Sequence, residues 1–204
     1  MRLRVLSVIM CLGIGAGPAS AQAVRDCQLT ALEGAEARVE QGGAWQPVAL
    51  GALPQAGTRI ETGPATRLEV SCAGGFVVTI GPESTADLGD LFRPDADPGI
   101  VMGLLQGILG IVTPDRTEAP VAVRTPAAIA AVRSTAWLVE HDPEVGTAVF
   151  VREGRVTVSN REIALVLRNG EGITLTSDTV VRPVAFWGQP RIAQATAALG
   201  LGWD

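Results

Sequence analysis

The sequence predicts an all-β chain whose antiparallel strands stack as a sandwich, roll or prism-like set of layers, with a short C-terminal helix. Three observations point there. Apolar residues recur with period two from residue 34 to residue 176, glycine-containing turns interrupt them at short intervals, and helical spacing is nearly absent from that stretch.

The N-terminus reads as an export signal. Arg2 and Arg4 precede an apolar run at 5–16, and Ala19-Ser20-Ala21 follows with small residues where a signal peptidase needs them, which predicts cleavage after Ala21. The run is too short for a hydrocarbon core of roughly 30 Å, and Gly13, Gly15, Gly17 and Pro18 break it, so no stable membrane insertion is expected after cleavage. Cys11 lies inside this leader, behind a Met10 too bulky for a lipid-attachment site. Without residues 1–21 the chain keeps 14 arginines against 21 acidic residues, a net charge of −7, and it has no lysine. An acidic surface argues against nucleic acid or anionic lipid as partner. The expected division is a signal peptide (1–21), an N-terminal arm (22–33), a main β domain (34–160), and a closing hairpin with a helical tail (161–204).

Cys27 and Cys72 survive cleavage. An oxidising compartment favours a disulfide between them; two buried free thiols is the other reading, because sequence does not place their Cα atoms.

Along the main domain, Leu68, Val70 and Cys72 alternate with polar residues, Ala73-Gly74-Gly75 turns the chain, and Phe76, Val78 and Ile80 alternate again, giving a hairpin with one buried face. The 93–98 stretch, with Pro94, Asp95, Asp97 and Pro98, is a loop. Residues 100–112 form an apolar run with Gly103, Gln106 and Gly107, read as a buried strand pair or a sharply bent strand in which glycine allows close backbone approach. A second loop covers 113–120. Glu153-Gly154 is expected to be a turn between two strands. Asn169-Gly170 is the strongest short hairpin signal, joining Ile163, Leu165 and Leu167 to Ile173 and Leu175. Beyond Pro190, Ile192, Ala195, Thr196 and Leu199 share one face of a short helix, expected to dock on the sheet.

The stretch from Val121 to Val139, with Thr125-Pro126, Val132-Arg133-Ser134-Thr135 and Trp137, resembles the signature of the FecR domain family: a strand, a Thr-Pro step, then Val-Arg-Gly-Thr and an aromatic. Gly51, Gly57, Thr62-Gly63, Ile80-Gly81-Pro82-Glu83-Ser84, Leu104-Leu105-Gln106-Gly107 and the Val149–Val156 stretch around Gly154 extend the likeness over roughly residues 34–160. Three positions depart from it. Ser134 stands for the usual glycine, Trp137 for phenylalanine, and Ala73-Gly74 for an Asp-Gly turn. Members that regulate iron uptake carry a sigma-factor-binding region and a membrane helix before this domain, whereas here a cleavable signal precedes it. The resemblance implies a periplasmic, non-catalytic module that binds another envelope protein, such as a membrane sensor, without cofactor.

The residues by themselves give the signature a structural role. Pro126 cannot donate a ladder hydrogen bond and biases Thr125 to an extended backbone. Arg133 on a half-buried face needs carboxylate or carbonyl acceptors. No catalytic site is expected: His141 is the sole histidine, in the polar turn His141-Asp142-Pro143-Glu144, and neither Ser84 nor Ser134 sits in a nucleophile elbow. One histidine and two paired cysteines do not make a zinc site, and the spacing of Asp95 and Asp97 matches no calcium loop. Two other functions stay open: carbohydrate or cell-wall binding through exposed Trp45 or Trp187, and a structural envelope protein self-associating through residues 100–112.

Overall fold

The computed structural model describes residues 27–51, 59–73, 75–92, 99–114, 120–132, 135–176 and 183–203. The leader with Ala21, Gly57, Gly74, the 93–98 loop, residues 115–119, Arg133 and Ser134 lie outside the described residues. The chain runs through β1 (Cys27–Glu33), β2 (Ala37–Gln41), β3 (Ala44–Pro47), β4 (Arg59–Thr62), β5 (Arg67–Cys72), β6 (Phe76–Ile80) and β7 (Thr85–Asp87). A 3-10 turn at Gly89–Phe92 then leads to β8 (Ile100–Val112), β9 (Val121–Arg124), β10 (Ile129–Val132), β11 (Thr135–Asp142) and β12 (Gly146–Ser159). The chain ends with β13 (Ala164–Arg168), β14 (Glu171–Leu175), β15 (Ala185–Phe186) and helix α1 (Gln189–Leu199).

These strands form two layers. The first follows the order β1-β5-β6-β8-β11-β12-β14-β15 and the second the order β3-β2-β4-β7-β8-β9-β10-β12-β13. Every described pairing is antiparallel except β8 with β9. β8 and β12 occur in both layers, so pairing closes on itself through β8, β9, β10, β12 and β11, a small barrel from which the remaining strands extend as wings.

A strand can serve two sheets only if it bends, and glycine supplies each bend. Gly107 has φ +94°, and a Cβ there would lie 2.5 Å from the Cα of Ser84. Ser84 Oγ accepts the Ile108 N–H at 3.0 Å, and Thr62 Oγ1 donates to the Gly81 carbonyl at 2.7 Å, so the bend is pinned by hydrogen bonds in a buried knot. The 100–112 run is therefore the single bent strand of the two alternatives. At Gly154, φ is +96°, and its N–H donates to Asn169 Oδ1 at 2.7 Å. Just before it, Ala136 faces Glu153 while Trp137 faces Val151, which leaves Arg152 as a bulge. Glu153-Gly154 is thus a kink in one continuous strand and not the expected turn, because a bulge plus one left-handed residue redirects the chain without reversing it. The Asn169-Gly170 turn forms, yet the strands beside it do not pair with each other. β13 pairs with the second half of β12 and β14 with the first half, since the bend in β12 carries its two halves into different layers.

The main core lies between the layers. Leu68, Val78, Leu109, Trp137, Val149 and Ile173 from the first meet Ile60, Met102, Val121, Val156 and Leu167 from the second. The β5–β6 hairpin forms as the alternation predicts. Cys27 and Cys72 face each other across β1 and β5 and form a disulfide. Closing a loop of 45 residues restricts the unfolded chain by about 4 kcal/mol in the chain-entropy model.

The outer surface of the first layer carries a second cluster, in which Ile108, Leu138 and Phe150 receive Ala195, Leu199 and Trp203. The tail docks as the helical spacing implied, and the sheet is shaped for it. Gly110 and Gly172 have no side chains where Trp203 and Trp187 press down. Arg67 donates to the carbonyls of Ala198 and Ala197 at 2.8 and 2.9 Å, satisfying backbone groups that a helix end leaves open. Trp203 Nε1 donates to Thr79 at 3.2 Å, and Arg152 to the Trp203 carbonyl at 3.2 Å.

Gly107→Ala is expected to lower the unfolding free energy by at least about 2 kcal/mol, from the left-handed backbone and the collision with Ser84 together. Gly43→Ala, at φ +82° with open space around it, costs only about 1 kcal/mol for the backbone. Urea titration of both variants checks this; equal losses contradict it.

Candidate functional site

Thr125 and Pro126 of the signature lie at one end of the barrel. Thr125 follows the end of β9 and starts the four-residue turn to β10, with Pro126 next, and the Thr125 N–H donates to the Ala128 carbonyl at 2.9 Å. Thr125 Oγ1 in turn accepts the Ala128 N–H at 3.0 Å. The same hydroxyl lies 2.7 Å from Thr147 Oγ1, which lies 2.9 Å from His141 Nδ1. All three side chains are buried, so a hydroxyl–hydroxyl–imidazole chain links the β9–β10 turn to β11 and β12. His141 is the penultimate residue of strand β11 and faces inward, in contrast to the polar turn position the sequence suggested. That turn begins at Asp142, whose Oδ1 accepts the N–H groups of Glu144 and Val145 at 2.8 and 3.0 Å.

Val132 lies in the core, and Thr135 closes the opposite end of the ring: its N–H donates to Thr113 Oγ1 at 2.6 Å, and its carbonyl accepts the Thr113 N–H at 2.9 Å. Trp137 is fully buried inside the ring, and its indole N–H has no hydrogen-bond partner among the described residues. Phenylalanine, usual at this place in the resembling family, would fill the space without an orphaned donor. Trp187 is committed to the tail, stacked on Phe150 at 4.8 Å with the Arg191 guanidinium 4.2 Å from its ring centroid. This removes it as an exposed sugar-binding aromatic. Trp45, on edge strand β3, is exposed, with Arg38 4.8 Å from its ring centroid.

His141 borders two clefts. One, about 500 Å³, is lined by Glu83, Gln106, Glu140 and Arg191; the other, about 600 Å³, by Leu105, Pro126, Arg161 and Glu162. Burial holds the His141 pKa below its ordinary 6.5, opposed in part by a hydrogen bond to the Gly146 backbone and by the charge of Asp142. The arrangement is poor for nucleophilic chemistry. Thr147 is buried beneath the imidazole, Asp142 is spent on its own turn, and Ser84 is bonded to Ile108. No cluster of three His, Cys, Asp or Glu side chains able to hold a metal ion occurs among the described residues. Sequence reasoning missed Thr147 and the hydrogen-bonding role of Thr62, which it named only within the Thr62-Gly63 step of the family likeness. The local signal for these roles was a threonine at a position whose strand parity points inward.

With its folded pKa below 6.5, His141 takes up a proton more readily in the unfolded chain; its contribution is full above that value and is lost as pH falls through the folded pKa. Unfolding at about pH 7.5 and about pH 5.5 should therefore show a loss at the lower pH that His141→Asn reduces. An identical loss in both proteins excludes the imidazole as its source.

Residues 58–157, which span β4 to nearly the end of β12, match the family model described as FecR protein. No curated protein is matched. Two crystal structures, each of a candidate anti-sigma factor from Parabacteroides distasonis, superpose with TM-scores of 0.55 and 0.54 at 20% and 19% identity, over 63% of this chain. The aligned part spans 59% of each of those chains, and at that identity the likeness is one of fold. The matched segment holds four of the five ring strands whole and most of β12, and this segment belongs to the FecR domain family.

Proposed function

We propose that this chain is a non-catalytic signalling module of the periplasm that binds another envelope protein. The observation that carries the reading is the FecR match over the closed ring. Several features support it. The Thr125 hydroxyl of the signature is buried and engaged with Thr147, which meets the His141 imidazole, and this suits a rigid scaffold. The Cys27–Cys72 disulfide suits an oxidising compartment. No described helix is long and apolar enough to cross a membrane. In this reading residues 1–21 direct export and are removed after Ala21, residues 34–160 form the binding domain, and residues 161–204 close its back. β13, with β12 as its strand neighbour, offers an edge to which an extended segment of a partner can add.

A second reading rests on Trp45, which lines a cleft of about 540 Å³ together with Arg38 and Glu61. An exposed indole beside charged hydrogen-bonding groups suits a wall saccharide.

Deleting the chain is expected to change envelope gene expression, with restoration by the wild-type copy and no sedimentation of the purified protein with cell wall. Unchanged expression, together with wall sedimentation abolished by Trp45→Ala, would replace the first reading with the second.

A further inference from the structure

The outer face of the second layer has two halves of different character. On β2 and β4 the outward residues pair by charge, Arg38 with Glu61 and Arg59 with Glu40. On β9, β10, β13 and the part of β12 beyond Gly154 there is no acidic residue. Their outward positions hold Arg124, Arg155 and Arg168 among apolar side chains.

The register orders this half-face. Val101, Ala122, Ala131, Thr157 and Val166 fall opposite one another on five neighbouring strands, β8, β9, β10, β12 and β13. At strand spacing this row is about 19 Å long. On one side of it Arg155 faces Arg168, and on the other Arg124 faces Ile129. Val166 is 52% exposed, Ile129 38% and Val101 37%. None of the three guanidiniums has a carboxylate partner among the described residues, although acidic residues outnumber basic ones by 21 to 16 in the chain. Two arginines directly opposite each other repel and destabilise the sheet. A fold that keeps them there beside exposed aliphatic side chains matches an external surface of opposite charge and similar polarity.

We propose that this half-face docks an acidic amphipathic protein segment, whose carboxylates pair with Arg124, Arg155 and Arg168 while its apolar side chains cover Val101, Ile129 and Val166. Nucleic acid offers the anions without the apolar cover, and the net negative chain repels it at long range. The inference rests on the reading of the chain as a protein-binding module and adds to it the surface and the partner's chemistry.

The test places the photo-crosslinker p-benzoylphenylalanine at position 157 of the full chain in its own envelope, and at position 38 as a control on the charge-paired half. The expected product at 157 is a protein segment in which Asp or Glu alternates with apolar residues. The triple variant Arg124→Glu, Arg155→Glu, Arg168→Glu should reduce that product by about tenfold or more, and lysines at the partner's acidic positions should restore it. Arg155→Glu alone gives Arg168 an internal partner, so it should keep the urea midpoint and still weaken capture. Crosslinking at 38 but not at 157 overturns the surface while leaving the binding function intact. Products that are only lipid or a second copy of the chain, or that are indifferent to the arginine substitutions, overturn the partner chemistry. No protein product at either position removes both readings.

Discussion

Everything in this structure hangs on two strands that belong to two sheets each. β8 and β12 enter one layer, bend at Gly107 and Gly154, and leave in the other. The bends let β9, β10 and β11 close the ring, and ring closure removes sheet edges that would otherwise stand open at the centre. They also fix which side chains face inward on either side of the kink. In β12, Val149 and Val151 precede the bend and Val156 and Val158 follow it, all in the same core, because the bulge at Arg152 resets the alternation.

Around that frame the polar groups divide the work by depth. Buried hydroxyls tie the ends of the ring, with Thr62 and Ser84 at the β8 bend, Thr125 and Thr147 beside His141, and Thr113, just past β8, against Thr135 at the start of β11. Each lies where an unpaired backbone or side-chain group would cost about 1–3 kcal/mol. Partly exposed arginines hold the tail: Arg67 and Arg152 reach backbone carbonyls, and Arg191 meets Glu140. The guanidiniums of Arg124, Arg155 and Arg168, on one half of the second layer's outer face, have no carboxylate partner among the described residues, and that contrast separates a surface built for the fold from one turned outward.

Much of the fold is legible in the sequence because period-two alternation and glycine punctuation are local. The Leu68–Ile80 hairpin and the helix at Ile192, Ala195 and Leu199 follow from them directly. The identity of the kinks does not. Glu153-Gly154 and Asn169-Gly170 carry ordinary turn chemistry, and only tertiary pairing with β11 and β13 decides that one continues a strand while the other links two layers. The candidate site shows the same limit. Thr125-Pro126 announces a strand end, but the partner of Thr125 is Thr147, 22 residues away, and no local pattern joins it to His141. Contacts such as Arg67 with Ala198, 131 residues apart, leave no trace in spacing at all.

If the bent strands make one unit of both layers, then function is displayed on a scaffold that opens all at once, with α1 as an attachment from outside the matched segment. Native-state hydrogen exchange tests this most directly. The account predicts that the amides of Met102 and Leu104 in one half of β8, and of Leu109 and Ile111 in the other, exchange with the same free energy as global unfolding, while amides of α1 open at lower energy. Exchange of either half of β8 through a separate, lower-energy opening would contradict it, because the two layers would then be independent sheets joined only by the chain.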